Sequence, residues 1–128
     1  MNQYEAFIFD MDGTLIDNMP YHIQAWLALF VQLGLEMTEA EFHQRLSGKT
    51  NAETVREMLG TDAPMAEIER LTKQKELHYR ALYEPQLQPV AGLLAFLQRS
   101  QDAGVKTAVA TSAGPDNITF ILERLGLM

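Results

Sequence analysis

Asp10 and Asp12 are two carboxylates, two positions apart, that follow directly on the apolar run 6–9. In such a pair one carboxylate can attack an electrophile and bind a cation, while the other moves a proton. Gly13 permits a tight backbone turn immediately after the pair. Asp and Gly also build ordinary turns, but the apolar run before them and the spacing of the two acids favour a catalytic pair.

Two apolar segments must position this chemistry. The continuous apolar run 6–9 predicts a short strand that is buried on both faces of a parallel sheet. Residues 105–110 form a second apolar run and predict a second strand. Ligands of parallel α/β sheets bind beyond the carboxyl ends of the strands, and Asp10 falls at such an end.

Helical periodicity dominates the sequence between these strands. Thr38 and Thr50 are each followed three positions later by glutamate, which is the spacing of a capping box at a helix start. Four helices are predicted between residues 20 and 83, then a connection, a helix near 93–104 and a last helix that opens at Pro115. Four helices are too many for one crossover between parallel strands, so we expect them to form an inserted subdomain.

The composition excludes several classes of function. A chain of 128 residues with 47% hydrophobic and 21% charged residues is typical of a soluble folded domain. It contains no cysteine, so a metal must bind to oxygen or imidazole ligands. A net charge of −7 without a basic stripe argues against nucleic-acid binding. No apolar run is long enough for a membrane helix, and no secretory signal is recognisable, so a cytoplasmic location is expected.

The segment from the apolar run through Asp12 and Gly13 resembles the first motif of the haloacid dehalogenase superfamily of aspartate-nucleophile phosphotransferases, an apolar strand followed by Asp-x-Asp-Gly-Thr. The resemblance implies that Asp10 is the nucleophile and forms an aspartyl-phosphate. It implies that Asp12 protonates the leaving group and then activates the incoming water. It further implies Mg²⁺ bound by the Asp10 carboxylate and the Asp12 main-chain carbonyl, and oxygen ligands suit this cation. An acid at position 12 argues against the dehalogenase branch, because dehalogenation needs no leaving-group acid.

Thr111 stands at the position of the superfamily's second motif, a Ser or Thr at the end of the next strand. By this resemblance its hydroxyl, together with free backbone amides of Ser112 and Ala113, holds the phosphoryl oxygens of the substrate. A Thr-Ser pair before a helix would by itself predict only a helix cap. The first motif upstream makes phosphate binding the favoured interpretation.

The predicted helices resemble the helical cap of the subgroup that includes beta-phosphoglucomutases and phosphoglycolate-type phosphatases. The implied fold is a Rossmann-like α/β core with a parallel sheet at 1–16 and 85–128, with a helical cap subdomain at 17–84. Three cap residues are candidates for substrate contact, namely His22, Lys49 and Asn51. The histidine is explained equally well as a partly buried interface residue, and the lysine nearly as well as a solvated residue at a helix start.

Two departures from the subgroup bear on the reaction. Asn51 stands where the mutases usually carry an arginine, and Gly114 stands where they usually carry a lysine. Both departures favour a Mg²⁺-dependent phosphohydrolase of small phosphorylated metabolites over a sugar phosphomutase, because a mutase must grip two phosphate positions. A third alternative is a non-catalytic module that binds phosphate or a partner.

The later motifs of the superfamily, a Lys or Arg and an acidic pair, are not found after Thr111. The only basic residue beyond that position is Arg124, which is predicted on a helix. We therefore expect the N-terminal portion of a larger phosphatase, with a core that is incomplete at its C-terminus and a chain that is inactive by itself. The apolar strand 6–9 would then form an exposed sheet edge that favours self-association.

Overall fold

The computed structural model describes residues 3–128. The elements follow one another in the order β1 (Ala6–Phe9), α1 (Met19–Gln32), α2 (Glu39–Arg45), α3 (Asn51–Leu59), α4 (Met65–Tyr83), a 3₁₀ turn (Glu84–Gln86), α5 (Leu93–Asp102), β2 (Lys106–Val109) and α6 (Pro115–Arg124). This is the predicted order of strand, four helices, helix, strand and helix. The two strands pair in parallel, and the α/β class is confirmed.

The chain divides into two compact units. The first contains the residues up to Met19 together with Pro85–Met128, and the second is Pro20–Glu84. The first unit holds both strands with α5 and α6, whereas the second consists of helices. No helix within residues 3–128 has the length and apolar character needed to cross a bilayer.

Strand β1 is not buried on both faces, so that prediction is wrong. Phe7 and Phe9 point to one face, where both rings contact the ring of Phe96 on α5. Ile8 points to the other face and is 72% exposed. Within the part of the chain that the structure describes, the sheet has two strands, and α5 covers the face of the two phenylalanines. The alternation of exposure along β1 follows from this one-sided cover.

The helical unit is held together by an apolar cluster and by well-formed helix ends. Its buried members come from all four helices or the turns beside them: Ile23, Trp26, Leu29, Phe30, Phe42, Leu46, Val55, Ile68 and Leu71. Helix α1 ends in a Schellman motif, in which Gly34 has a φ of 74° and the N–H of Leu35 donates to the carbonyl of Phe30. These contacts fix the second unit through packing and caps rather than through strand pairing.

Both predicted capping boxes are present. Thr38 accepts from the backbone N–H of Glu41, whose carboxylate accepts from the N–H of Thr38. Thr50 and Glu53 make the same reciprocal pair at the start of α3. Each box satisfies two backbone N–H groups that the helix itself leaves unpaired.

Replacing Thr50 with alanine is expected to lower the free energy of unfolding by about 1 kcal/mol, because the N–H of Glu53 loses its side-chain acceptor. Urea unfolding followed by the fluorescence of Trp26 is a suitable measurement, since this is the only tryptophan and it lies buried in the same unit. Ser47→Ala, in the exposed loop before α3, is the matched control. Equal stability of the two variants would contradict a stabilising role for the capping box.

Candidate active site

The parallel pairing of β1 and β2 brings the first predicted site segment beside the second. Phe9 lies opposite Val109 in the register, and the N–H of Ala110 donates to the carbonyl of Phe9 at 2.8 Å. Both strands therefore end at the same edge of the sheet. Asp10 is the next residue after β1, and Thr111 is the second residue after β2, so the two leave the sheet as neighbours.

A tight turn follows Asp10 and presents its side chain to solvent. The N–H of Met11 donates to Oδ1 of Asp10 at 2.8 Å, and the Met11 side chain is fully buried. The carbonyl of Met11 accepts from the N–H of Thr14 at 3.1 Å and of Leu15 at 2.9 Å. Gly13 has a φ of 72°, which side chains other than glycine rarely allow. The buried residues anchor the turn, while the Asp10 carboxylate stays exposed.

Asn18 holds the second aspartate in place. Its side chain is fully buried, its Nδ2 donates to Oδ1 of Asp12 at 2.7 Å, and its Oδ1 accepts from the N–H of Gly13 at 3.0 Å. One amide group thus ties the Asp12 carboxylate to the backbone of the turn. The sequence analysis missed this residue, because an asparagine just before a helix predicts only local capping. Only the structure shows that the Asn18 side chain reaches both Asp12 and Gly13, and that its amide offers a donor to the first and an acceptor to the second.

Replacing Asn18 with alanine is expected to destabilise the turn by about 1–3 kcal/mol, because the N–H of Gly13 loses its acceptor and the Asp12 carboxylate loses the amide donor of a fully buried side chain. Amide hydrogen exchange of Gly13, measured by NMR, should accelerate strongly in this variant. The exchange of Phe9, whose strand bonds do not involve the asparagine, should change little and serves as the internal control. Unchanged protection of Gly13 would show that Asn18 does not hold the turn.

The loop after β2 shows a different arrangement from the predicted one. The backbone N–H of Ala113 is not free, because it donates to Oγ1 of Thr111 at 3.1 Å. This short turn orients the hydroxyl of Thr111, whose own proton is left to donate to a ligand. Ser112 is exposed. Helix α6 begins behind the loop with Gly114 as N-cap and without a side-chain cap, so neither the threonine nor the serine caps it.

The three candidate cap residues all lie in the second unit. His22 is half-buried, and its ring stacks on Tyr79 with 3.7 Å between the centroids and 12° between the planes. Asn51 is half-buried at the first position of α3. Lys49 is exposed in the loop before it. The tryptophan of α1 is buried in the apolar cluster, as the periodicity of that helix predicts.

Lys75 and Glu76 on α4 connect two of these candidates, and the sequence analysis missed both. The Nζ of Lys75 lies 2.7 Å from Nδ1 of His22 and 2.9 Å from Oε1 of Glu76. The same Oε1 accepts from Nδ2 of Asn51 at 3.0 Å. A lysine in a polar helix predicts a solvated side chain, yet this one is 2% exposed. Only the tertiary structure reveals the pairing.

At the end of the sheet where Asp10 follows β1, the atoms that could bind a metal ion are oxygens. The Asp10 carboxylate and the main-chain carbonyl of Asp12 match the preference of Mg²⁺ for hard oxygen ligands. Among residues 3–128, no cluster of three or more His, Cys, Asp or Glu side chains could hold a metal ion. These donors fit Mg²⁺ in kind and supply two of the roughly six oxygens that its shell takes.

The sequence of this chain is similar to those of known proteins over nearly its whole length. A family model described as haloacid dehalogenase-like hydrolase matches residues 7–128. A phosphoglycolate phosphatase of Agrobacterium fabrum is 28% identical over 123 residues, which cover 94% of this chain and 53% of that protein. A beta-phosphoglucomutase of Bacillus subtilis is 27% identical over 132 residues, covering 97% of this chain and 57% of that protein.

Among solved structures, a HAD hydrolase of family IA, variant 3, from Entamoeba histolytica superposes with a TM-score of 0.87 at 25% identity. The match covers 96% of this chain and 56% of that chain. The α/β core with helical cap is thus shared with proteins of known structure. The chain spans about half the length of the curated relatives it matches.

Proposed function

The chain belongs to the haloacid dehalogenase-like hydrolase family, and from this membership we propose that the intact protein is a Mg²⁺-dependent phosphohydrolase of small phosphorylated metabolites in the cytoplasm. The observation that carries the proposal is that β1 and β2 end side by side at the same edge of the sheet. This arrangement sets Asp10 beside the loop of Thr111. Asn18 adds to it, because it fixes the second carboxylate of the pair. Relatives named phosphatase support a phosphatase-type enzyme for the intact protein.

The proposed reaction has two displacements at phosphorus. In the first, a carboxylate oxygen of Asp10 attacks the phosphorus, the bond to the leaving oxygen breaks, and Asp12 gives that oxygen a proton. In the second, Asp12 takes a proton from water, whose oxygen attacks the phosphorus and releases the Asp10 carboxylate and inorganic phosphate. The Thr111 hydroxyl, with the backbone N–H of Ser112, stabilises the phosphoryl oxygens in both steps, whereas the N–H of Ala113 stays bonded to Thr111.

Magnesium fits the donors at this edge in kind, and we propose Asp10 and Asp12 as its protein ligands. When bound, the cation offsets the repulsion between an anionic nucleophile and an anionic phosphate. Nucleophilic attack and proton transfer are assigned to side chains of the chain itself, namely Asp10 and Asp12. The bond from Asn18 keeps the Asp12 carboxylate at the turn, where it can exchange protons with the leaving group and with water.

A sugar phosphomutase is the second candidate, because one relative is named beta-phosphoglucomutase. Asn51 and Gly114 continue to favour the hydrolase, since neither side chain carries the charge with which a mutase would grip a second phosphate. Conversion of a hexose 1-phosphate into its 6-phosphate, without release of inorganic phosphate, would decide for the mutase.

We further propose that residues 1–16 and 85–128 contribute to the catalytic core, that 17–84 form its cap, and that the remaining catalytic groups lie outside these 128 residues. The share of the relatives' length that the chain covers supports this proposal. Arg124 gives it further support, because its guanidinium lies over the ring of Phe120, 4.4 Å from the centroid, within α6. In the described residues β1 pairs only with β2, so its other edge offers unpaired backbone groups with which a second copy or further strands of the core would pair.

The 128-residue chain is therefore expected to show no Mg²⁺-dependent turnover of p-nitrophenyl phosphate, whereas the complete reading frame that contains it is expected to be active. Colorimetric release of p-nitrophenol, with the mass of each sample verified, is the measurement. Turnover by a folded 14.4 kDa chain would refute the proposal that catalytic groups lie elsewhere. Concentration-dependent dimerisation of both forms without turnover would instead favour the non-catalytic module.

A further inference from the structure

Met19 packs on the turn of the candidate active site and is open to solvent. It belongs to the same compact unit as the turn and is 46% exposed. A Cβ added to Gly13 would stand 3.4 Å from Cγ of Met19, which is van der Waals contact, so the methionine side chain lies over the glycine. Gly13 directly follows Asp12. The Met19 side chain therefore covers the backbone of the turn beside the second aspartate.

The chain also links Met19 to the support of Asp12. Met19 is the first residue of α1 and directly follows Asn18. The buried Asn18 side chain donates to Oδ1 of Asp12 at 2.7 Å and accepts from the N–H of Gly13 at 3.0 Å. Met19 and Asn18 thus contact the same glycine from neighbouring positions in the chain. A change in the size or polarity of the Met19 side chain is therefore expected to disturb the bonds that hold the Asp12 carboxylate.

Methionines provide all of the sulfur in this chain, which has seven of them and no cysteine. A peroxide reaches the thioether of an exposed methionine more readily than that of a buried one. Met11, which also belongs to the turn, is fully buried. Among residues 3–128, the exposed methionines are Met19, Met65 and Met128, and Met65 lies in the second unit. Met19 is thus an exposed thioether in contact with the site.

We propose that Met19 is an oxidation site through which hydrogen peroxide inactivates the intact enzyme. The inference rests on the proposed function, because it concerns regulation of the same site. In the reaction the Met19 sulfur attacks one oxygen of the peroxide, and the S–O bond forms as the O–O bond breaks. The second oxygen leaves as hydroxide, which takes the proton of the first oxygen to form water. The sulfur loses two electrons to the peroxide, and the product is methionine sulfoxide.

Oxidation replaces the apolar thioether over Gly13 by a larger and polar sulfoxide. The sulfoxide oxygen is a hydrogen-bond acceptor, and it gains contacts with water when the side chain moves off the glycine. The turn then loses its apolar cover beside the two bonds that Asn18 makes. Because a displacement of about 1 Å at a catalytic group can lower a rate about a hundredfold, a small shift of Asp12 is sufficient to lower turnover.

The test treats the intact protein with hydrogen peroxide and follows the hydrolysis of p-nitrophenyl phosphate together with the oxygen gained by each methionine-containing peptide. Turnover should fall about tenfold or more as the Met19 peptide gains one oxygen atom. Met19→Leu keeps an apolar side chain without sulfur, and peroxide should change its own untreated turnover by less than about twofold. Met65→Leu, at an exposed position of α4, is the matched control and should be inactivated like the unsubstituted protein. Methionine sulfoxide reductases should restore turnover.

Equal inactivation of Met19→Leu, a Met19 that stays reduced, or full oxidation of Met19 without loss of turnover would overturn the inference. A second readout is independent of turnover. In the 128-residue chain, peroxide should accelerate the amide hydrogen exchange of Gly13 and not that of Phe9, and Met19→Leu should abolish the acceleration. Absence of turnover before treatment would refute the proposed function, and the exchange data would then decide whether oxidation of Met19 loosens the turn.

Discussion

Replacing Asp10 with asparagine in the intact protein is expected to abolish phosphatase turnover, with a loss in kcat of about ten thousandfold or more, equal to about 5 kcal/mol of barrier. The amide is nearly isosteric with the carboxylate, but it is not an anionic nucleophile and is a weaker ligand for a divalent cation. The variant should fold normally, because Asp10 is exposed and asparagine retains an acceptor oxygen for the N–H of Met11. Steady-state release of p-nitrophenol from its phosphate ester measures the loss.

Asp102→Asn is the matched control for this substitution. It removes a carboxylate from the same unit at an exposed position at the end of α5, where its local partner is Gln98. The control should retain full turnover. If Asp10→Asn retained even about a tenth of the original rate, a barrier change of only about 1.4 kcal/mol, Asp10 would be excluded as the nucleophile.

Replacing Asp12 with asparagine is expected to have the second largest effect, a loss of about 10²–10⁴-fold in steady-state turnover. The substitution removes the proton donor of the first step and the base of the second. p-Nitrophenolate is a good leaving group and needs little protonation, so the first step should survive better than the second. The variant should therefore release a burst of about one equivalent of p-nitrophenol and then continue slowly.

Rapid mixing with p-nitrophenyl phosphate resolves the burst from the slow phase. For an alkyl phosphate, whose leaving group needs the proton, the same variant should lose the first step as well and show no burst. If Asp12→Asn lowered the turnover of both substrates equally and gave no burst, the assignment of Asp12 as acid and base would be contradicted. The bond from Asn18 to Asp12 remains possible in the variant, since asparagine also offers an acceptor oxygen there.

Local sequence features were sufficient to predict most of the secondary structure. Helix α1 follows from its apolar periodicity, and the capping boxes at Thr38 and Thr50 place the starts of α2 and α3. These features depend on contacts between residues close in sequence, which is why they can be read from one chain. The parallel pairing of β1 and β2 follows from the same pattern, because helices separate the strands.

Features that depend on contacts distant in sequence could not be predicted. Nothing in a polar helix indicates that Lys75 is buried, because its partners His22 and Trp26 belong to α1. The exposure of Ile8 depends on which elements cover the sheet, and an apolar run predicts burial wherever the cover is complete. In both cases the sequence pattern predicts the helix or strand, whereas tertiary contacts determine what surrounds each side chain.

The role of Asn18 also could not be predicted from the sequence. Its contact with Asp12 spans only six positions, yet it requires the turn at Gly13 to bring the two side chains together. The motif in the sequence identifies the two aspartates without the residue that orients the second. Residue types and spacing thus predict which side chains carry the chemistry, and this stays a prediction, whereas the residue that supports the second aspartate is seen only in the structure.

The central claim, that Asp10 is the nucleophile, is tested most directly by trapping the covalent intermediate. The Asp12→Asn variant of the intact protein, mixed with p-nitrophenyl phosphate and Mg²⁺ and quenched in acid, should carry one phosphoryl group. Peptide mass spectrometry should locate that group on Asp10. A phosphoryl group on any other residue, or steady turnover by a protein that never carries one, would contradict the claim.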